Sequence, residues 1–246
     1  MLTANPPEPG HPADPADAWK PPGDFSNSAL LHWKIRLAYP RLGVLAHHFW
    51  SRPDLAVLYP EFLFHLHTFI RSSVPMMLEG AELARDLGDD DPVGPILAEY
   101  LEHHAEEERG HDEWLVEDLE VLGVSRQEVM ERLPSTAAAA LVGSFYYWMR
   151  HVHPVALLSY LAVLEGNPPV VEELEKSRAI AGLPEESFRT LLRHARLDPH
   201  HRDDLNDLID RLPLTARHHE LLALSSFHTI EKVSLVLEQI LDAQDG

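Results

Sequence analysis

Residues 99–123 read EYLEHHAEEERGHDEWLVEDLEVLG, and they set the class of the whole chain. The segment continues a helical pattern that Pro92 opens. It runs to Leu122, with Gly123 as a natural C-terminal cap, so one long helix is expected here. His104, Glu108 and His111 fall at i, i+4 and i+7 and line one stripe of that helix. Glu108 and His111 also form an E-x-x-H pair, a spacing used by dimetal helical bundles. Alone the pair says little, because a shuffled chain of this composition would hold about two or three such matches. Glu8 with His11, near the N-terminus, is one of them. A solvated acidic helix face is the plain alternative for this stretch.

The helical pattern extends on both sides. From about Ser26 onward, helices are expected from Leu30 to Pro40, from Pro53 through FLFHLHTFI, and from Pro75 to Leu87. Further ones are expected from Pro134 to Glu165 with a kink at Pro154, and over residues 172–181, 184–197, 199–212 and 214–242. No strand-like alternation and no repeat of fixed period is visible. The fold class is therefore all-α, a bundle of about eight or nine helices in one domain over residues 25–246. Residues 1–24 are rich in Pro, Ala and Asp and read as a disordered tail without signal-peptide character.

The composition narrows the function. The chain has 246 residues, 20 Lys+Arg and 40 Asp+Glu, for a formal charge of −20. That charge argues against a nucleic-acid partner, which wants clustered cations. No apolar run is long enough for a membrane span, so a cytoplasmic protein without a membrane partner is expected. There is no cysteine, which removes disulfides, thiolate metal sites and cysteine nucleophiles. Histidine is the excess, at 17 residues, a bias of the metal-binding kind.

Two more pieces bear donors. Residues 188–205, FRTLLRHARLDPHHRDDL, contain His194, Asp198 and His201, an H-x3-D-x2-H stripe again at i, i+4, i+7, with His200 outward. Such a stripe arises by chance in about one sequence in five, and surface histidines on a charged helix are its plain alternative. Glu165 ends the apolar run HPVALLSYLAVLEG, where a carboxylate needs a partner, a metal or arginine, or an escape to solvent past Gly166. Together, Glu108, Glu165 and Asp198 with His111, His194 and His201 could enclose two metal ions, and mixed His and carboxylate donors favour iron or manganese over structural zinc.

As a set, these motifs resemble the heme-oxygenase-like diiron oxidases and oxygenases, and HHAEEERGHDEWLVEDLEVLG is similar to the branch called iron-containing redox enzymes. The resemblance runs from about residue 45 onward. It implies a seven-helix heme-oxygenase-like fold, two Fe²⁺ per chain, and O₂ as co-substrate. The implied ligands are Glu108, His111, Glu165, His194, Asp198 and His201. It also implies oxidation of a small organic substrate, an amino acid or derivative ahead of a fatty acid, by N-oxygenation, desaturation or carbon–carbon cleavage in a biosynthetic setting. The first helix departs from the pattern, since His104 stands where some members carry glutamate; Glu107 beside it and Glu79 on the preceding helix are further candidates. An external reductant and a homodimer are compatible with this reading. The rivals are a non-catalytic helical protein that binds metal or a partner, and a cofactor-free oxidase on the same fold.

The remaining histidines read as structural. His65 with His67, and His151 with His153, lie two apart and so face different ways. The adjacent pairs His47-His48 and His218-His219 are expected to be partly exposed. Arg71 and Arg150 are conceivable partners for a substrate carboxylate, and Phe145 to Trp148 read as core rather than a substrate box. No phosphate-binding glycine loop, dinucleotide fingerprint or G-x-S-x-G is present.

Overall fold

The computed structural model describes residue 23, residues 25–88 and residues 90–245, the side chains of 244 and 245 excepted. The expected N-terminal tail lies outside the described residues apart from Gly23. The described chain is all α-helix with short 3-10 turns. In order, the helices are α1 (Asn27–Ala38), α2 (Pro40–Trp50), α3 (Leu55–Asp86), α4 (Gly94–Glu107), α5 (His111–Val121) and α6 (Arg126–Glu131). After them come α7 (Thr136–His151), α8 (Leu157–Leu164), α9 (Val171–Ala181), α10 (Arg189–Arg211) and α11 (Ala216–Asp245).

α3 is the spine. It packs against α4, α5, α7 and α11, and α11 in turn packs against α1, α2, α7 and α8. Fully buried Leu63, Met76, Met77, Leu101, Leu115, Phe145 and Leu161 fill the space between them. α8 is buried along nearly its whole length, as its unbroken apolar sequence demands. At one end of the bundle Tyr59 stacks on Phe188 with centroids 4.3 Å apart, and its hydroxyl donates to the Ser187 carbonyl at 3.0 Å. That contact pins the turn leading into α10 onto α3. Among the described residues, no helix is long and apolar enough to cross a membrane.

Four breaks differ from the sequence reading. The segments expected from Pro53 and from Pro75 join as one helix, α3. Pro60 and Pro75 each remove one backbone hydrogen bond, and packing of a wide apolar face carries the helix past both. α10 likewise continues through Pro199, where a new helix start was expected. By contrast, the expected helix from Pro92 to Leu122 is interrupted between α4 and α5. Gly110 there adopts φ 85°, a left-handed conformation that side-chain-bearing residues disfavour. The expected helix over 134–165 is divided rather than kinked. His153 is extended, and its ring nitrogen Nδ1 accepts from the Val155 N–H at 3.0 Å, starting a 3-10 turn at Pro154.

Candidate metal centre

α4, α5, α8 and α10 each deliver donors to one buried point. His104 lies in the last turn of α4, and Glu108 is the residue that ends that helix. Three residues later, past the Gly110 joint, His111 opens α5. Glu165 ends α8 in the same way. A Cβ on the next residue, Gly166, would stand 2.1 Å from the Ala162 carbonyl oxygen, so the turn leaving Glu165 requires glycine. α10 contributes His194, Asp198 and His201 along one face because it stays helical through Pro199, with His200 exposed on the other side.

Two groups share one carboxylate. Donor atoms of His104, Glu108 and His201 lie within 4.8 Å of one another, and so do those of Glu108, His111 and His194. Glu108 Oε2 is 2.9 Å from His111 Nδ1 and 3.8 Å from His194 Nε2, while Oε1 is 3.5 Å from His201 Nδ1. Glu165 joins the first group, with Oε1 3.3 Å from His104 Nε2 and Oε2 3.8 Å from His201 Nδ1. Asp198 is buried one turn after His194 and lines the same cavity as Glu108, Glu165 and His194. The six residues expected from the sequence as ligands therefore lie around one buried region, and His104 lies with them. Glu107 stands behind His104, its Oε2 3.4 Å from Nδ1, rather than in the cluster. Glu79 is a correction: its carboxylate pairs with Arg150 at 2.6 Å on the outside of α3 and does not reach the cluster. Arg150 and Arg71 are likewise at the surface, Arg71 against Met130. His219 is also a correction, being buried rather than partly exposed.

The electrostatics identify what this constellation needs. Burial by itself would raise the Glu108 carboxyl, yet the 2.9 Å hydrogen bond to His111 and the nearby His111 and His194 rings hold it well below the ordinary carboxylate range. Burial pushes Asp198 up to about 8, reinforced by the neighbouring charges of Glu165 and Glu108 against the pull of His194. His104 moves the other way. Burial lowers it, but Glu165, Glu108 and Glu107 outweigh burial and bring it to about 9. Even so, Glu108 Oε1, Glu165 Oε2, His194 Nε2, Asp198 Oδ1 and His201 Nδ1 are buried without a hydrogen-bond partner. His194 is the clearest case. Its Nδ1–H donates to the Thr190 carbonyl at 3.0 Å, which leaves a bare lone pair on Nε2 facing Glu108. Lone pairs aimed at one another in a dry interior want a cation between them. The donor set, four imidazoles and three carboxylates with no thiolate, fits iron or manganese.

Residues around the ligands were not apparent from the sequence. Asp118, fully buried on α5, accepts the Thr190 N–H at 2.9 Å and anchors the start of α10. Thr190 sits four residues before His194, the helical spacing that was the available signal. Trp114 stacks on His111 with centroids 3.9 Å apart, and Arg193 covers the Trp114 ring. A cavity of about 910 Å³ rises from the cluster, bounded by Glu108, Glu165, His194 and Asp198 at its floor.

A third group, Asp91, His153 and His218, also lies within 4.8 Å, but its protons are in the wrong place for a metal. His153 Nδ1 accepts from Val155 N–H at 3.0 Å and His218 Nδ1 accepts from Thr215 N–H at 3.3 Å. Each neutral ring then carries its hydrogen on Nε2, which in His153 donates to Asp91 at 3.1 Å. The group is structural, and it is acid-sensitive. Burial, helped by His153, lowers His218 from the ordinary 6.5 to about 4. The unfolded chain therefore binds this proton first, and stability falls as pH drops from about 6.5 toward about 4. His218→Gln should flatten that fall by about 1–2 kcal/mol after allowance for solvent screening. Urea unfolding at pH 7 and pH 5 measures it.

A family model described as iron-containing redox enzyme matches residues 82–229. A comparison with curated proteins finds no match. Among solved structures, a domain of unknown function with a heme oxygenase-like fold from Shewanella denitrificans os217 superposes with TM-score 0.75. It is 17% identical, over 91% of this chain and 95% of that one. A TenA homolog from Pseudomonas syringae pv. tomato has TM-score 0.68 at 13% identity, over 95% and 98% of the two chains. A TenA homologue from P. horikoshii OT3 has TM-score 0.58 at 13% identity, over 88% and 98%. These likenesses show the fold, which is heme oxygenase-like. Every residue of the buried cluster falls within the matched segment, and the chain belongs to the iron-containing redox enzyme family.

Proposed function

We propose that the protein is an O₂-dependent non-heme diiron oxidase or oxygenase acting on a small organic molecule. The observation that carries this reading is the pair of donor groups sharing Glu108, with five buried atoms left without a partner. The residues that would hold the iron are Glu108, shared by both donor groups, with His104, His201 and Glu165 on one side and His111, His194 and Asp198 on the other. Iron bound there would supply the electrons for reducing O₂.

The protein's own residues have distinct tasks. Three carboxylates offset most of the charge of two divalent ions, which keeps such a centre tolerable in a buried site. Thr190 and Glu107 fix the rings of His194 and His104 so that Nε2 of each points inward. Trp114 stacks on the His111 ring and holds its orientation. The cavity gives a substrate a route to the open side of the ligand set. An amino acid or its derivative, a fatty acid, and the specific outcome of oxidation come from family analogy.

Anaerobic loading with Fe²⁺, an iron count and O₂ uptake at an electrode test the reading. About two irons per chain and O₂ consumption coupled to oxidation of the ferrous ions are expected. His194→Ala and Asp198→Ala should each abolish the uptake. Iron binding without O₂ uptake would point instead to a metal-storing protein, and no iron binding would remove the reading altogether.

A further inference from the structure

The cavity above the cluster has two unlike ends. Its floor holds the ligand carboxylates and Tyr160, whose hydroxyl is occupied by the Phe69 carbonyl and Ser73, each at 3.3 Å. Above the floor the wall is apolar, built from Leu66, Phe69, Ile70, Val163, Leu191 and Val233. Aromatic rings join this wall, with Trp50 edge to face against both Phe49 and Phe62. The exposed members of the lining come from two places: His47 and Ser51 at the end of α2, and Asn167, Pro169, Glu173, Lys176 and Ile180 in and before α9. The cavity therefore opens between α2 and α9.

Charge is distributed unevenly along this path. Among the described residues, Lys176 is the only lysine or arginine of the lining, and it stands at the rim near Glu173. Between rim and floor the six wall residues named above offer no charge. A free amino acid entering here would have to lose the water around both of its ionic groups and find no counter-charge along the wall. A volume near 910 Å³ is also at the upper end for small-molecule sites.

We propose that the site takes an elongated apolar molecule with one polar head, bound tail first. The head rests in water among Lys176, Glu173 and His47, and the chain fills the aromatic and aliphatic wall. The carbon presented to the cluster is remote from the head. Which end reacts rests on the diiron reading; the binding mode does not.

Calorimetric titration of the metal-free protein tests it, with straight-chain alkan-1-ols, alkanoates and alkylammonium ions of six to twelve carbons, and leucine as the amino-acid probe. Tail-first binding makes affinity rise about fourfold for each added CH₂. The three head groups at one chain length should then agree within about tenfold, because the head stays solvated. Leucine should not bind measurably. Glu173→Lys, a change at an exposed position, should shift the ranking of heads by a few-fold without altering the dependence on chain length. Affinity independent of chain length would overturn the proposal. So would a hundredfold preference for alkylammonium, which would place the head against the floor carboxylates, or a tenfold tightening of alkanoates on Fe²⁺ loading, which would place it on the metal. Chain-length-dependent binding by a protein that takes up no iron would leave the cavity assignment standing and remove the diiron reading alone.

Discussion

Glu108→Gln is expected to empty both metal positions at once. The amide keeps the shape of the side chain but removes the charge and the second coordinating oxygen on which both donor groups depend. Iron content should fall from about two per chain to near zero. His104→Ala should behave differently. It removes a donor from the group completed by His201 and Glu165 and leaves the group of His111 and His194 intact, so about one iron should remain. Anaerobic loading followed by metal analysis separates the two outcomes, with circular dichroism to confirm that each variant is folded. Equal loss from both variants would mean that the positions fill only together. Full retention by Glu108→Gln would show that the two positions do not share Glu108.

Metal loading should also raise stability substantially. In the metal-free chain the buried carboxylates are held by imidazoles, and five polar atoms lack partners. A ligand that binds the folded state alone at a concentration a thousand times its dissociation constant adds about 4 kcal/mol. For a domain of this size that corresponds to a rise in melting temperature of about 10 °C. Fe²⁺ under anaerobic conditions, or Mn²⁺ as an air-stable substitute, should give this shift, and a chelator should reverse it. Amide exchange across 190–205 should slow in parallel, since α10 carries three of the ligands. A melting temperature indifferent to either ion would contradict the assignment of the cluster as a metal site.

Most of the fold was legible because apolar periodicity and glycine stops speak directly to helices. Gly88 and Gly123 both take positive φ where the sequence placed helix ends. The prolines were less transparent. Pro75 and Pro199 carry a local signal to stop, yet α3 and α10 continue because packing along their apolar faces outweighs one missing hydrogen bond. The site was legible where donors repeat at helical spacing, as in His194, Asp198 and His201. It was less so for Glu79 and His104, which both sit on helices near the centre. Only the three-dimensional placement shows Glu79 turned outward to Arg150 and His104 turned inward to Glu165. The supporting contacts of Asp118 and Trp114 have no sequence signature, because they join residues through tertiary packing.

The left-handed joint at Gly110 has a consequence for how such centres are recognised. Glu108 and His111 match a four-residue motif written for a single helix, but here they face each other across a corner between two helices. Their separation is set by the turn over residues 108–111, with Gly110 at positive φ, rather than by helical pitch. The rotation of α4 about its own axis is thereby uncoupled from that of α5. Donor identities on α4 are free to drift over a turn without disturbing His111, so a pattern built on rigid helical register will overlook relatives whose corner bends differently.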